Sequence, residues 1–103
     1  MSSEILIVDD NADIRNIINQ LILDAGYKTR LAANYNQALS EIDKKLPDVA
    51  ILDVKLDKGD NDGIKLLSHI KSKNKDVPVI IIYGHANIEM AVKYLHNGDF
   101  EFI

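Results

Sequence analysis

Two stretches of this chain share one grammar, and together they restrict the fold more than any other feature. Ile5-Leu6-Ile7-Val8 runs into Asp9-Asp10, and Val49-Ala50-Ile51-Leu52 runs into Asp53. Each apolar run precedes a segment of helical period, the pattern of strands buried on both faces of a parallel sheet. In such a sheet, ligands bind just outside the carboxyl ends of the strands, where the strand order reverses. If these two strands are neighbours, Asp9, Asp10 and Asp53 converge at that end. Three carboxylates in one pocket repel one another, so protons or a cation must hold them together. This cluster is the candidate functional site.

The rest of the chain alternates in the same way. After a first strand at Glu4 to Val8, Asn11 is placed to cap a helix with apolar positions Ile14, Ile17, Ile18, Leu21 and Ile22, and Gly26 supplies a left-handed end. Tyr27 to Leu31 alternates apolar with polar, as an edge strand with one wet face does. Asn34 caps a second helix with Tyr35, Ala38, Leu39 and Ile42 inward, and Pro47 stops it. Asp48 to Asp53 is the third strand. A polar loop, Lys55 to Gly63, leads into a third helix marked by Ile64, Leu67 and Ile70. Lys71 to Asp76 reads as a charged loop before a fourth strand, Val77 to Ile82, with Pro78 near its start, where few ladder bonds are lost. Ile88, Ala91, Val92 and Leu95 mark a fourth helix, and Phe100 to Ile103 a fifth strand. Right-handed crossovers then give a doubly wound α/β domain with a five-stranded parallel sheet. The pattern calls for one more helix. We therefore expect a single domain, 1–103, truncated after its fifth strand, with an apolar face that favours self-association.

Composition narrows the function classes. The chain has 103 residues, 47% of them hydrophobic and 27% charged, which suits one small globular domain. It has no cysteine, so disulfides and thiolate metal sites are excluded. The net charge of −4, without a basic stripe, argues against direct nucleic-acid binding. Val77 to Tyr83, the longest apolar run, is too short to span a membrane, and the N-terminus has no signal-peptide pattern. The expected location is the cytoplasm.

Asp9-Asp10 after the first strand, Asp53 after the third, and Asp62-Gly63 opening the third helix resemble the receiver domain of two-component response regulators over the whole chain. Gly84 to Glu89, Gly98 to Ile103 and a loop from Asp53 to Gly63 two residues longer than is common resemble the nitrogen-regulation branch, NtrX-like members in particular. The resemblance implies a flavodoxin-like sheet of order 2-1-3-4-5. It makes Asp53 the phosphoacceptor for a partner histidine kinase, and Asp9, Asp10, Asp53 and the Lys55 backbone carbonyl the ligands of Mg²⁺. Asp10 would bind directly and Asp9 largely through water. The physics agrees: a carboxylate nucleophile gives an aspartyl phosphate, and a divalent ion offsets the charge of the phosphoryl group. The resemblance further implies a phosphorelay module that is not a turnover enzyme, acts in transcription regulation, and pairs as a homodimer through the face of the fourth helix and fifth strand. Phe102 falls at the family's aromatic switch position. Tyr83 stands where the family has a Ser or Thr switch hydroxyl, and the family's lysine after the fifth strand would lie just beyond Ile103.

Plainer readings stand beside these. Asp9-Asp10 alone would be a helix cap and a first-turn acid. Lys55 and His85 read as solvated loop residues, His69 and His96 as surface residues of helices, and Tyr83 equally as a partly buried aromatic at the rim of the pocket. The Asp60-Asn61-Asp62-Gly63 run is no EF-hand, because its register would put Lys58 first and His69 last. Two alternatives remain. One is a pseudo-receiver, an interaction domain whose switch is altered by Tyr83. The other is a phosphatase of the haloacid dehalogenase type, which wants an acid where this chain has Lys55.

Overall fold

A computed structural model describes residues 3–83. Each apolar run forms a strand: β1 (Glu4–Val8), β2 (Lys28–Ala32), β3 (Val49–Asp53) and β4 (Val79–Ile82). Between them lie the helices α1 (Ala12–Asp24), α2 (Tyr35–Lys44) and α3 (Asp62–Lys73). The strands pair in parallel in the order β2-β1-β3-β4. The chain is thus doubly wound and flavodoxin-like, and its strand order reverses between β1 and β3. The fourth helix, the fifth strand, Phe102 and the expected dimer face lie outside the described residues.

Period-two alternation divides the core between the two sheet faces. Leu6, Val8, Ala50, Leu52, Val79 and Ile81 pack with Ala38 and Ile42 of α2 and Leu66 and Ile70 of α3. Ile5, Ile7, Val49, Ile51, Ile80 and Ile82 pack with Ile18 and Ile22 of α1. Every residue of β3 and β4 is buried, as central parallel strands require. Both predicted caps form. The Asn11 side chain accepts from the Ile14 amide at 3.1 Å, and that of Asn34 from the Gln37 amide at 2.8 Å. Gly26, with φ +96°, closes α1 in the left-handed region.

Several boundaries and faces differ from the sequence reading. Ile17 is 50% exposed, because the buried stripe of α1 centres on Ile18 and Ile22 instead. In β2 Leu31 is exposed along with Lys28, and Arg30 turns toward α2. The Arg30 guanidinium donates to the carbonyls of Glu41 (3.0 Å) and Lys45 (2.6 Å). It also forms ion pairs with Glu41 (3.2 Å) and Glu4 (2.7 Å). One cation therefore ties β2, β1 and the end of α2 together. Lys71 to Lys73, read as loop, is the last turn of α3, where lysines favour the negative end of the helix dipole. The Lys71 ammonium donates to the carbonyls of Lys75 and Val77 and so fixes the approach to β4. That strand begins at Val79, after Pro78, whose carbonyl accepts from the Ala50 amide at 3.1 Å.

His69 lies partly exposed on α3, and Asp43 of α2 meets both its Nε2 (2.8 Å) and the Lys73 ammonium (3.3 Å). These contacts, that of His69 first, hold the Asp43 carboxyl below its usual range. A depressed carboxylate pKa contributes stability above the unfolded value, and that contribution fades as acid protonates the group. The carboxyl carbon resonance of Asp43 is expected to titrate below 3.8, and a midpoint at or above that value would contradict the contact.

Candidate functional site

β1 and β3 are adjacent, with Val8 level with Leu52, so the residues that follow them emerge side by side at the carboxyl end of the sheet. There the carboxylates of Asp9, Asp10 and Asp53 each bring an oxygen within 4.8 Å of the others. Asp9 is 1% exposed and Asp53 8%, while Asp10 faces solvent. The convergence expected from the sequence is present in the structure.

Local structure fixes each acid. The Asp9 carboxylate accepts from the Asn11 amide (2.9 Å), a short turn that leads into the Asn11 cap. The Asp9 carbonyl accepts from the Arg15 guanidinium (2.8 Å), and its amide donates to Ala32 (3.2 Å). Asp53 ends β3 level with Ile82 of β4, and the next amide, Val54, donates to the Ile82 carbonyl (3.0 Å). The Lys55 amide points at Asp53 Oδ1 across a long 3.5 Å, while the Lys55 side chain is solvated and 3.7 Å from Asp60. That exposed pair contributes little to stability.

The start of α3 abuts the same place. The Gly63 amide donates to the Val54 carbonyl (2.9 Å). A Cβ on Gly63 would lie 2.5 Å from the Asp53 carbonyl oxygen and 2.8 Å from Val54 Cα. Glycine is required here because helix and strand touch, and the positive end of the α3 dipole thereby sits beside the acidic pocket. Asp62, fully buried, folds back to accept from the amides of Lys58 (2.8 Å) and Gly59 (3.0 Å) and so shapes the loop. Asp62, Gly63 and Arg15 thus join the site without having been among its expected residues. Spacing carries no signal for the Arg15 contact, whereas a glycine directly after a helix-opening acid was a readable sign of close approach. Tyr83 follows the β3-paired end of β4 and is 57% exposed, not the partly buried aromatic that the plainer reading held open. Phe102 and His85 lie outside the described residues.

The donor set is all carboxylate oxygen, two members of it buried within one small radius. Such a set suits a hard divalent cation, which takes one or two carboxylates and completes its shell with water. It can also present one carboxylate oxygen to an incoming electrophile at the mouth of the pocket.

Comparison with known proteins agrees with this geometry. The model of the response regulator receiver domain matches residues 5–103. The nitrogen assimilation regulatory protein NtrX of Azorhizobium caulinodans is 41% identical over 103 residues, covering 100% of this chain and 23% of that protein. Sporulation initiation phosphotransferase F of Bacillus subtilis is 38% identical over 90 residues, 87% of this chain and 71% of that protein. The crystal structure of the receiver domain of NtrX from Brucella abortus superposes with a TM-score of 0.72 at 39% identity, over 96% of this chain and 82% of that one. The chain thus spans under a quarter of the length of the NtrX proteins it resembles.

Proposed function

Since this chain belongs to the receiver domains of response regulators in two-component signalling, we propose that Asp53 accepts a phosphoryl group from a partner histidine kinase in a Mg²⁺-dependent step. The observation that carries the proposal is the meeting of Asp9, Asp10 and Asp53 at the switch point of the sheet. In the transfer, an Asp53 carboxylate oxygen bonds to phosphorus as the phosphorus–nitrogen bond of the donor phosphohistidine breaks, and the imidazole leaves. Asp9, Asp10, Asp53 and the Lys55 carbonyl are the residues that would hold Mg²⁺, which when bound neutralises charge on the phosphoryl oxygens. Asp53 is held at the pocket mouth by its strand, and the Lys55 amide stands ready to bond an oxygen on it. The α3 dipole favours the added negative charge at the same point.

The adduct exchanges one charge for about −1.5 to −2 and adds acceptor oxygens, which biases a two-state surface toward whichever state binds them better. That output belongs to the same proposal: transcription regulation through domains beyond this one, pairing of two copies through the fourth-helix and fifth-strand face, and no turnover of a free substrate. The acidic net charge of −4 supports a domain that does not itself hold DNA. No helix among the described residues is long and apolar enough to cross a membrane.

Tyr83 favours one second reading, a pseudo-receiver. An exposed phenol stands one residue past the partner of Asp53, where a short hydroxyl side chain would switch. Beryllofluoride with Mg²⁺ separates the two. We expect amide shifts at Asp9, Asp10, Asp53 and Lys55 that spread to residues 84–103. Shifts confined to the acidic pocket would favour the pseudo-receiver, and no shift at Asp53 would refute both.

A further inference from the structure

The loop after Asp53 is fastened at a point that neither the acidic pocket nor its own helix explains. Asp57 Oδ1 accepts from the backbone amide of Tyr35, the first residue of α2, at 2.9 Å. That amide is one of the donors a helix leaves unpaired at its start, and Asn34 serves another, at Gln37. A loop acid and the local cap thus share one helix terminus. The contact joins residues 22 positions apart.

The fastening brackets a single residue, Lys55. On one side Val54 is fixed by its amide bond to Ile82 and its carbonyl bond to Gly63. On the other, Leu56 is buried in the core beside α2 and α3, and Asp57 is bonded to α2. Only Lys55 lies between, and its amide faces Asp53 across 3.5 Å. Its side chain is solvated and makes only the long, exposed pair with Asp60, so the backbone neighbours set where its amide and carbonyl point.

We infer that Asp57 is a positioning residue for the acidic pocket: by its bond to the start of α2 it fixes the backbone on both sides of Lys55, so that the Lys55 amide is offered to Asp53 and the Lys55 carbonyl to the divalent ion. The inference rests on the reading of the pocket as a Mg²⁺ site. Residues that orient a metal ligand from behind commonly account for about 10- to 100-fold in affinity.

The test is Mg²⁺ titration of the whole chain, followed by amide resonances, for wild type, Asp57→Ala and Asp57→Asn. Both variants lose the same charge, but asparagine keeps an oxygen that can accept from Tyr35. We expect Asp57→Ala to weaken Mg²⁺ binding by about tenfold and to move the Lys55 amide resonance even in ion-free protein, while Asp57→Asn stays within about twofold of wild type. Equal weakening in both variants would mean that Asp57 acts only through its charge, and would overturn the inference. An unchanged Asp57→Ala, folded by the dispersion of its spectrum, would overturn it too. A wild-type chain that binds no Mg²⁺ would overturn the reading of the pocket itself, an outcome visible before any variant is compared.

Discussion

Replacing Gly63 with alanine is expected to destabilise the chain by about 2 kcal/mol and to weaken Mg²⁺ binding at the acidic pocket. Helix propensity argues the other way, since alanine inside a helix gains about 1 kcal/mol over glycine. The contact decides the sign. The new Cβ would lie 2.5 Å from the Asp53 carbonyl oxygen and 2.8 Å from Val54 Cα, and both are backbone atoms that cannot rotate aside. Overpacking costs about 1–3 kcal/mol, and with two backbone atoms closer than 3.0 Å the upper end applies, so about 2 kcal/mol of destabilisation remains after the propensity gain. Backbone strain plays no part, because among the described residues only Gly26 has a positive φ. Relief requires α3 to move away from β3, which stretches the Gly63–Val54 bond and shifts the peptide that carries Asp53. Urea denaturation checks the first expectation and Mg²⁺ titration the second. A Gly63→Ala chain as stable as wild type would show that helix and strand are not in contact.

The second large effect has the opposite sign. In the absence of divalent ions, Asp53→Asn is expected to stabilise the chain by about 1–2 kcal/mol, because it removes one of three crowded carboxylates. Asp9 and Asp53, both buried, bring oxygens within 4.8 Å of each other, a separation at which two unit charges repel by roughly 3 kcal/mol at an effective dielectric near 20. Asp10 opens the pocket to solvent, which screens part of that repulsion, so the gain is smaller than the pair energy. Adding Mg²⁺ then offsets most of that difference. Wild type gains about 1.4 kcal/mol at ten times its dissociation constant, and the variant gains little. Denaturation with a chelator and with Mg²⁺ measures both. Loss of stability in the chelated variant, or an equal Mg²⁺ response in both chains, would contradict the picture of a strained acidic pocket.

Much of this was legible because strand, cap and site signals are local. Ile5 to Val8 and Val49 to Leu52 read as buried strands from composition alone, and Asn11 and Asn34 read as caps from position. Asp53 could be placed beside Asp9 because a parallel α/β sheet leaves few places for two acid-tipped core strands. What escaped depended on partners distant in sequence. Arg30 turns inward because Glu4, Glu41 and the Lys45 carbonyl meet it there, and Leu31 is left outside as a result. Nothing near Asp57 announces the start of α2 as its partner. The last turn of α3 was missed because its charged residues carry no apolar period, although the helix dipole favours them. The part of Gly63 in the site belongs to the packing of α3 on β3, which a motif names without explaining.

The most direct test of the central claim is the intact mass of the chain after incubation with acetyl phosphate, with and without Mg²⁺, beside Asp53→Asn. We predict a gain of one phosphoryl group that needs Mg²⁺ and is absent from the variant. A folded wild-type chain that gains nothing, or a variant that gains the same mass, would contradict the assignment of Asp53 as the acceptor.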